Sequence, residues 1–270
     1  MNKHFLWFLS FLITLSFALF QRMTGPTYPV KGAIKAGGAK ISYRLPRSCT
    51  VSDADCIIKI KSPVPLKGYV SWKRYKTDDA PSRIDLTYAG TLLSGLLPDQ
   101  PPAGKLEYRV FLKTAGGETE LVKNPVVTRF KGAVPAWALI PHIIFIFAFM
   151  LYSVRIFISV FFPGLAVKPA VMHNILFLLL GGFLFGPLVQ YYAFGAAWTG
   201  FPFGMDLTDN KTLLMLLAWL PALFFAVKGR DCKSWLVFAF AVTAAVYLIP
   251  HSMFGSELDY SKNQVVTGNR

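Results

Sequence analysis

Histidine and cysteine are scarce in this chain and acidic residues are few, with 4 His, 3 Cys and 14 Asp or Glu among 270 residues. Three cysteines exclude a disulfide-dense scaffold. Four zinc ligands at recognisable spacings are absent, which disfavours a zinc site at the cysteines, and no Cys-x-x-Cys occurs. His-Glu-x-x-His and Gly-x-Ser-x-Gly are also missing, so no reaction can be read from a local motif. Charged residues make up only 16% against 54% apolar ones. That balance lies outside the usual soluble range and marks a membrane protein.

What charge there is lies unevenly. Residues 21 to 133 hold 19 Lys or Arg against 9 Asp or Glu, an excess of ten in a chain of net charge +14. Residues 134 to 227 are nearly free of charge outside one stretch, WTGFPFGMDLTDNKT at 198 to 212. The chain therefore reads as a basic polar part and an apolar part.

Residues 5 to 20, FLWFLSFLITLSFALF, form the first apolar run, with Lys3 before it and Arg22 after it. Neither an Ala-x-Ala pattern nor a lipobox cysteine closes it. Residues 1 to 22 are thus read as a signal anchor, with a signal peptide as the alternative, and residues 23 to 37, rich in Gly and Pro, as a linker. Four more runs follow, at about 134 to 162, 174 to 197, 212 to 227 and 234 to 250. In lipid such runs must be helical, because every backbone group needs an internal partner. Pro141, Pro187 and Pro221 lie inside them and predict kinks. Gly181, Gly182 and Gly186 predict close helix packing in the third span.

Between the first two runs the pattern has period two. KLEYRVFL at 105 to 112 sets Leu106, Tyr108, Val110 and Leu112 on one face and Lys105, Glu107 and Arg109 on the other. Further strands are predicted at 39 to 45, 56 to 62, 68 to 76, 84 to 95, 118 to 122 and 125 to 130, which suggests a sandwich. The run LLPDQPPAGKLEYRVFLKTAGGE resembles a feature of immunoglobulin-like and fibronectin type III-like modules, where a turn with Pro and Gly precedes a strand bearing a buried Tyr. The resemblance covers residues 38 to 131, and no family is recognised for the apolar part. It implies a fold and not a function, since such modules bind, space and scaffold alike. Trp72 suits a core position, but the usual inter-sheet cysteine pair is missing. Cys49 and Cys56, seven residues apart, can form a disulfide in an oxidising compartment or remain two free thiols.

The fold class expected is therefore an integral membrane α-helical bundle of five spans with an inserted all-β sandwich domain. Its parts are the anchor, the linker, the sandwich at 38 to 131, a four-helix membrane domain at 134 to 250 and a tail at 251 to 270. The loop from Arg155 through Lys168 and the loop KGRDCK at 228 to 233 are basic, so both face the cytoplasm by the positive-inside rule. The N-terminus is then cytoplasmic, and the sandwich, the 198 to 211 loop and the tail are extracytoplasmic, in a bacterial-type inner or plasma membrane.

That topology gathers a candidate polar site at the outer face: His142, Asp206, Asp209, Asn210, Lys211, His251, Glu257 and Asp259. The tetrapeptide LIPH ends at both His142 and His251, which sets the two imidazoles at similar depth. His142, His251 and Asp206 together suit a divalent metal; a bis-His haem through His142 and His251 is a remoter option. Much of the cluster also has a structural explanation. Thr208, Asp209 or Asn210 can cap a helix, Lys211 can snorkel, and Trp137, Trp198, Phe201 and Phe203 can form an interfacial belt. Asp206 is the residue this explanation covers least.

Two functions remain. The first is a scaffold or binding protein that displays the sandwich outside the membrane, with the bilayer, another envelope protein, or an anionic lipid or polymer as partner to its basic domain. The second is a small membrane enzyme or metal-binding protein using the outer cluster. Along the sequence the cations of the basic domain are spread over the strands with no single run. Nucleic acid is not expected as a partner.

Overall fold

The computed structural model describes the chain apart from residues 1, 53–54, 115, 251–252, 254 and 267–270. It divides into two compact units, a helical one of residues 1–26 and 134–255 and a β unit of residues 27–133 and 256–266.

The β unit holds thirteen strands among its described residues, and the first eleven run in order: β1 Val30–Ala36, β2 Ala39–Leu45, β3 Ser48–Thr50, β4 Ile57–Lys61, β5 Lys67–Arg74, β6 Ser82–Asp85, β7 Thr87–Ala89, β8 Leu92–Leu96, β9 Lys105–Thr114, β10 Gly117–Glu120 and β11 Val126–Lys131. β12 Glu257–Asp259 and β13 Gln264–Val266 follow the helices. One sheet has the order β1-β2-β4-β8-β7, and the other β3-β11-β9-β5-β6 with β10 beside β9. Pairing is antiparallel except between β3 and β11. The alternation in β9 is realised as read, with Leu106, Tyr108, Val110 and Leu112 all buried. These residues share one apolar core with Ile41, Leu45, Ile58, Ile60 and Leu93 of the other sheet. The Tyr108 hydroxyl donates to the Pro46 carbonyl at 2.8 Å, which gives the buried phenol its partner.

Three differences from the expected strands have local causes. Residues 30 to 36 are a strand and not linker, because Gly37 and Gly38, both at positive φ, let the chain turn back onto β2. The run at 84 to 95 breaks into β6, β7 and β8. Leu86, buried between β6 and β7, marks where the chain passes from one sheet to the other. The segment read as a tail contains the β12–β13 hairpin, and the Leu258 amide donates to the Ala103 carbonyl at 3.0 Å inside the β unit.

The helical unit contains α1 Lys3–Thr24, α2 Ala136–Phe161, α3 Val167–Leu178, a π-helical segment Leu179–Phe185, α4 Gly186–Phe194, α5 Leu207–Val227 and α6 Lys233–Leu248. Among the described residues four helices are long and apolar enough to cross a membrane, with Val167–Phe194 taken as one; a further apolar helix, α6, has 16 residues. Length and composition thus suggest a membrane protein. Many outward side chains are apolar, among them Phe8, Ile144, Leu217 and Phe238, as a lipid-facing surface requires. The inner face packs Phe149, Val154, Leu178, Trp219 and Leu236 together. Several polar groups inside it are satisfied locally: the Trp219 indole donates to Thr243 Oγ1, and Ser10 and Thr14 donate to carbonyls four residues back. The buried Arg155 Nε and Nη1 and Asn174 Nδ2, by contrast, have no hydrogen-bond partner among the described residues.

Gly181 and Gly182 explain how the third rod fits. A Cβ on Gly181 would lie 2.9 Å from the Ile146 nitrogen in α2, and one on Gly182 would lie 2.5 Å from Thr212 Cγ2 in α5. The two glycines let one rod approach two neighbours. Pro187 stands at the start of α4, directly after the π-helical turn, where its missing N–H costs least.

Candidate functional site

Asp206, Asp209, Asn210 and Lys211 come together at the first turn of α5, and the sequence there explains why. α5 starts at Leu207, five residues earlier than the apolar run, because Asp206 caps it: its carboxylate accepts the Thr208 N–H at 2.8 Å. The cap is thus Asp206 and not Thr208, Asp209 or Asn210. Asp209 is buried and does something else. One of its oxygens, Oδ2, accepts the Thr199 N–H at 2.6 Å, the Thr199 hydroxyl at 3.2 Å and the Gln190 side-chain amide at 3.2 Å. Asn210 Oδ1 accepts the Phe201 N–H at 2.7 Å. Gly200 lies between these two contacts, and a Cβ there would meet Asp209 Cβ at 2.6 Å. The 198 to 206 loop is therefore strapped onto the helix start by two side chains.

Lys211 does not snorkel. It is 8% exposed, and its ammonium donates to the Ile249 and Pro250 carbonyls at 3.1 and 3.2 Å, just past the end of α6. A cation on those last carbonyls stabilises a helix C-terminus and here joins α6 to α5. His142 Nδ1 lies 2.8 Å from the Gly181 carbonyl, in the π-helical segment. The imidazole links α2 to the irregular turn of the neighbouring rod. Trp198 stacks on Phe183 at 5.4 Å between centroids, so it is a packing residue of the loop and not only a belt.

Glu257 and Asp259 are built into the β unit, with their partners inside it. Glu257 pairs with Lys105 at 2.5 Å and Lys76 at 3.1 Å. Burial alone would push its carboxyl up, but hydrogen bonding and the charges of Lys105 and Lys76 outweigh it and hold the group below the ordinary glutamate value. Burial pushes the Lys105 ammonium down, opposed by Glu257. Asp259 accepts from the Ser261 N–H and hydroxyl and the Lys262 N–H, closing the hairpin turn. Tyr260 fixes the hairpin in place: its hydroxyl accepts the Lys105 N–H at 2.9 Å and lies 3.0 Å from Gln100 Oε1.

Asp206, Asp209 and Asn210 thus form a loop strap within the helical unit, and Glu257 and Asp259 a clasp within the β unit. Among the described residues, no three His, Cys, Asp or Glu are grouped so as to hold a metal ion. His251, the third member of the His142, Asp206 and His251 set, lies outside the described residues. Cys49 and Cys56 are joined by a disulfide beneath β11, with Thr128 Oγ1 at 3.3 Å from the Cys49 sulfur. Sequence reasoning missed Gln190 and Thr199. Gln190 carried a signal: apart from Asn174, it is the one amide side chain in the apolar run at 174 to 197.

Two cavities lie apart from these residues. One of about 360 Å³ in the β unit is lined by Trp72, Arg83, Leu96 and Asp99, and the buried Trp72 Nε1 has no partner there. The other, about 310 Å³, lies in the helical unit beside Ser159, Lys168, Arg230 and Lys233. Comparison with protein-family models, with curated proteins and with solved structures finds no match for the chain in any of the three.

Proposed function

We propose that this is a polytopic envelope membrane protein that scaffolds or binds, displaying a β-sandwich related in plan to immunoglobulin-like modules on the extracytoplasmic side. One observation carries the reading: each described member of the candidate polar cluster has a structural task, whether capping, strapping, bridging helix ends or clasping a hairpin. Groups so engaged, among the described residues, favour a structural role for the cluster over a chemical one. The two sheets sharing one core support the sandwich.

Chain parity supports the topology. The β unit takes residues from before α2 and from after α6. In a bilayer the chain must then cross an even number of times between them. α2, the Val167–Phe194 rod and α5 make three crossings, so α6 makes the fourth, although its 16 residues span only about 24 Å of an apolar layer of about 30 Å. The loops holding Lys168 and Lys228 to Lys233 then face the cytoplasm, the β unit faces outward, and an oxidising compartment suits its disulfide.

Metal analysis and an absorption spectrum of the detergent-purified protein test the reading. The expected result is no stoichiometric metal and no haem band. One equivalent of metal, lost in His142→Ala or Asp206→Asn, would overturn it in favour of a metal-dependent protein.

A further inference from the structure

The pairing of β1, β2 and β4 places six cations on one face. Lys31 stands opposite Arg44, and Arg44 opposite Lys59, so three cations form one row across three strands. Lys35 stands opposite Lys40, and Lys61 opposite Ser42. Strand alternation turns all six away from the core, and all six are exposed. Strands about 4.8 Å apart, with same-face residues about 6.8 Å apart along each, make this a dense positive patch. No acidic residue shares the face: the remaining outward positions are Ala33, Ser42, Ile57, Leu92, Ser94 and Leu96 on β1, β2, β4 and β8. Among the described residues none of the six cations has an ion pair, whereas the ion pairs of the unit fall on the other sheet and the hairpins.

Like charges directly opposite one another destabilise a sheet, so the pattern asks for a reason outside the fold. Protecting a sheet edge with lysine accounts for Lys31 and Lys35 on the edge strand β1. It does not account for Lys40, Arg44, Lys59 and Lys61, which stand on the interior strands β2 and β4.

We propose that this face docks on the anionic headgroup surface of a phospholipid bilayer. The patch is a sheet face of five lysines and one arginine; no aromatic side chain stands among its outward strand positions, and the Tyr28 ring beside it is covered by the Lys31 ammonium at 5.2 Å. Lysine acts as a mobile point charge suited to a diffuse negative field, where a specific carboxylate or phosphate partner favours arginine forks. The inference rests on insertion of the helices into a bilayer, and the experiment separates the two.

The full chain is placed in nanodiscs of phosphatidylcholine, or of phosphatidylcholine with phosphatidylglycerol, and its lysines are acylated with a water-soluble ester and quantified by mass spectrometry. A chain whose helices do not insert fails to enter the discs, before any labelling. In discs with phosphatidylglycerol, Lys31, Lys35, Lys40, Lys59 and Lys61 are expected to react at least about threefold more slowly than in phosphatidylcholine discs, and 1 M salt should erase the difference. Lys67 and Lys123, cations of the other sheet and its loops without ion pairs among the described residues, should change little. Arg44→Glu, which gives Lys31 and Lys59 an internal partner, should remove the lipid effect on both. Equal rates in the two kinds of disc would overturn the proposal, as would equal slowing of the two control lysines. Stronger protection by soluble polyglutamate in phosphatidylcholine discs would assign the face to an acidic polymer instead.

Discussion

Asp206 and Asp209 are three residues apart and differ in what depends on them. Both are buried; Asp206 accepts a backbone N–H at a helix start, a cap worth about 1 kcal/mol, and its charge also acts on Lys211. Asp209 takes three donors from two other segments. Asp209→Ala is therefore expected to cost about 2 to 3 kcal/mol by leaving Thr199 and Gln190 without their acceptor, more than Asp206→Ala. Asp209→Asn keeps one acceptor oxygen and should fall between. Thermal unfolding of the detergent-purified variants checks the order, and a larger loss for Asp206→Ala would remove the strap from the argument. A carboxylate at a helix start was legible as a structural group in the sequence. Which of the two held the loop was not, because Gln190 and Thr199 reach Asp209 only after the third rod folds beside α5.

At the scale of elements, two junctions can be tested. Gly181 lets the π-helical segment lie against α2, and the small-residue spacing announced this close packing. Gly181→Ala sets a methyl group 2.9 Å from the Ile146 backbone nitrogen, which cannot yield as a side chain can. The expected loss is about 1 to 3 kcal/mol, read as a lower unfolding temperature. Gly186→Ala, whose nearest contact is 3.2 Å, should lose less. The second junction is the β12–β13 hairpin. Glu257 is held below its ordinary value, so its stabilising share is full at neutral pH and is lost as the pH falls below 4.5 and through the depressed value. Protection of the amides in residues 256 to 266, taken relative to the intrinsic exchange rate at each pH, should fall on acidification while that of β9 holds. Glu257→Gln should show the faster exchange already at pH 7 and flatten the dependence. An unchanged hairpin at low pH would mean that Tyr260, and not the ion pairs, holds it.

For the whole molecule, the test is sidedness. In a Cys232→Ser background, Phe203→Cys in the 198 to 206 loop should label with a membrane-impermeant maleimide on intact cells, and Gly229→Cys in the basic loop should label only after lysis. Both positions are exposed, so access is set by the membrane and not by packing. The opposite pattern would invert the orientation and remove the oxidising compartment from the account of Cys49 and Cys56.

Local periodicity and composition were enough, from sequence alone, to identify the apolar rods, most of the strands and the excess of positive charge, because each depends on residues within a few positions of one another. The edge strand at 30 to 36 was hidden by the glycines and prolines around it, and α5 began earlier than its apolar run because its first turn is polar. Tertiary structure alone decided the rest. Whether six cations spaced along thirty residues form a patch depends on strand register, and whether a carboxylate is a ligand, a cap or a strap depends on which donors distant segments bring to it. Glu257 is the plainest case. In sequence it follows the last helix and reads as part of an outer polar cluster, and only the pairing with Lys105, 152 residues away, makes it the clasp of a β hairpin.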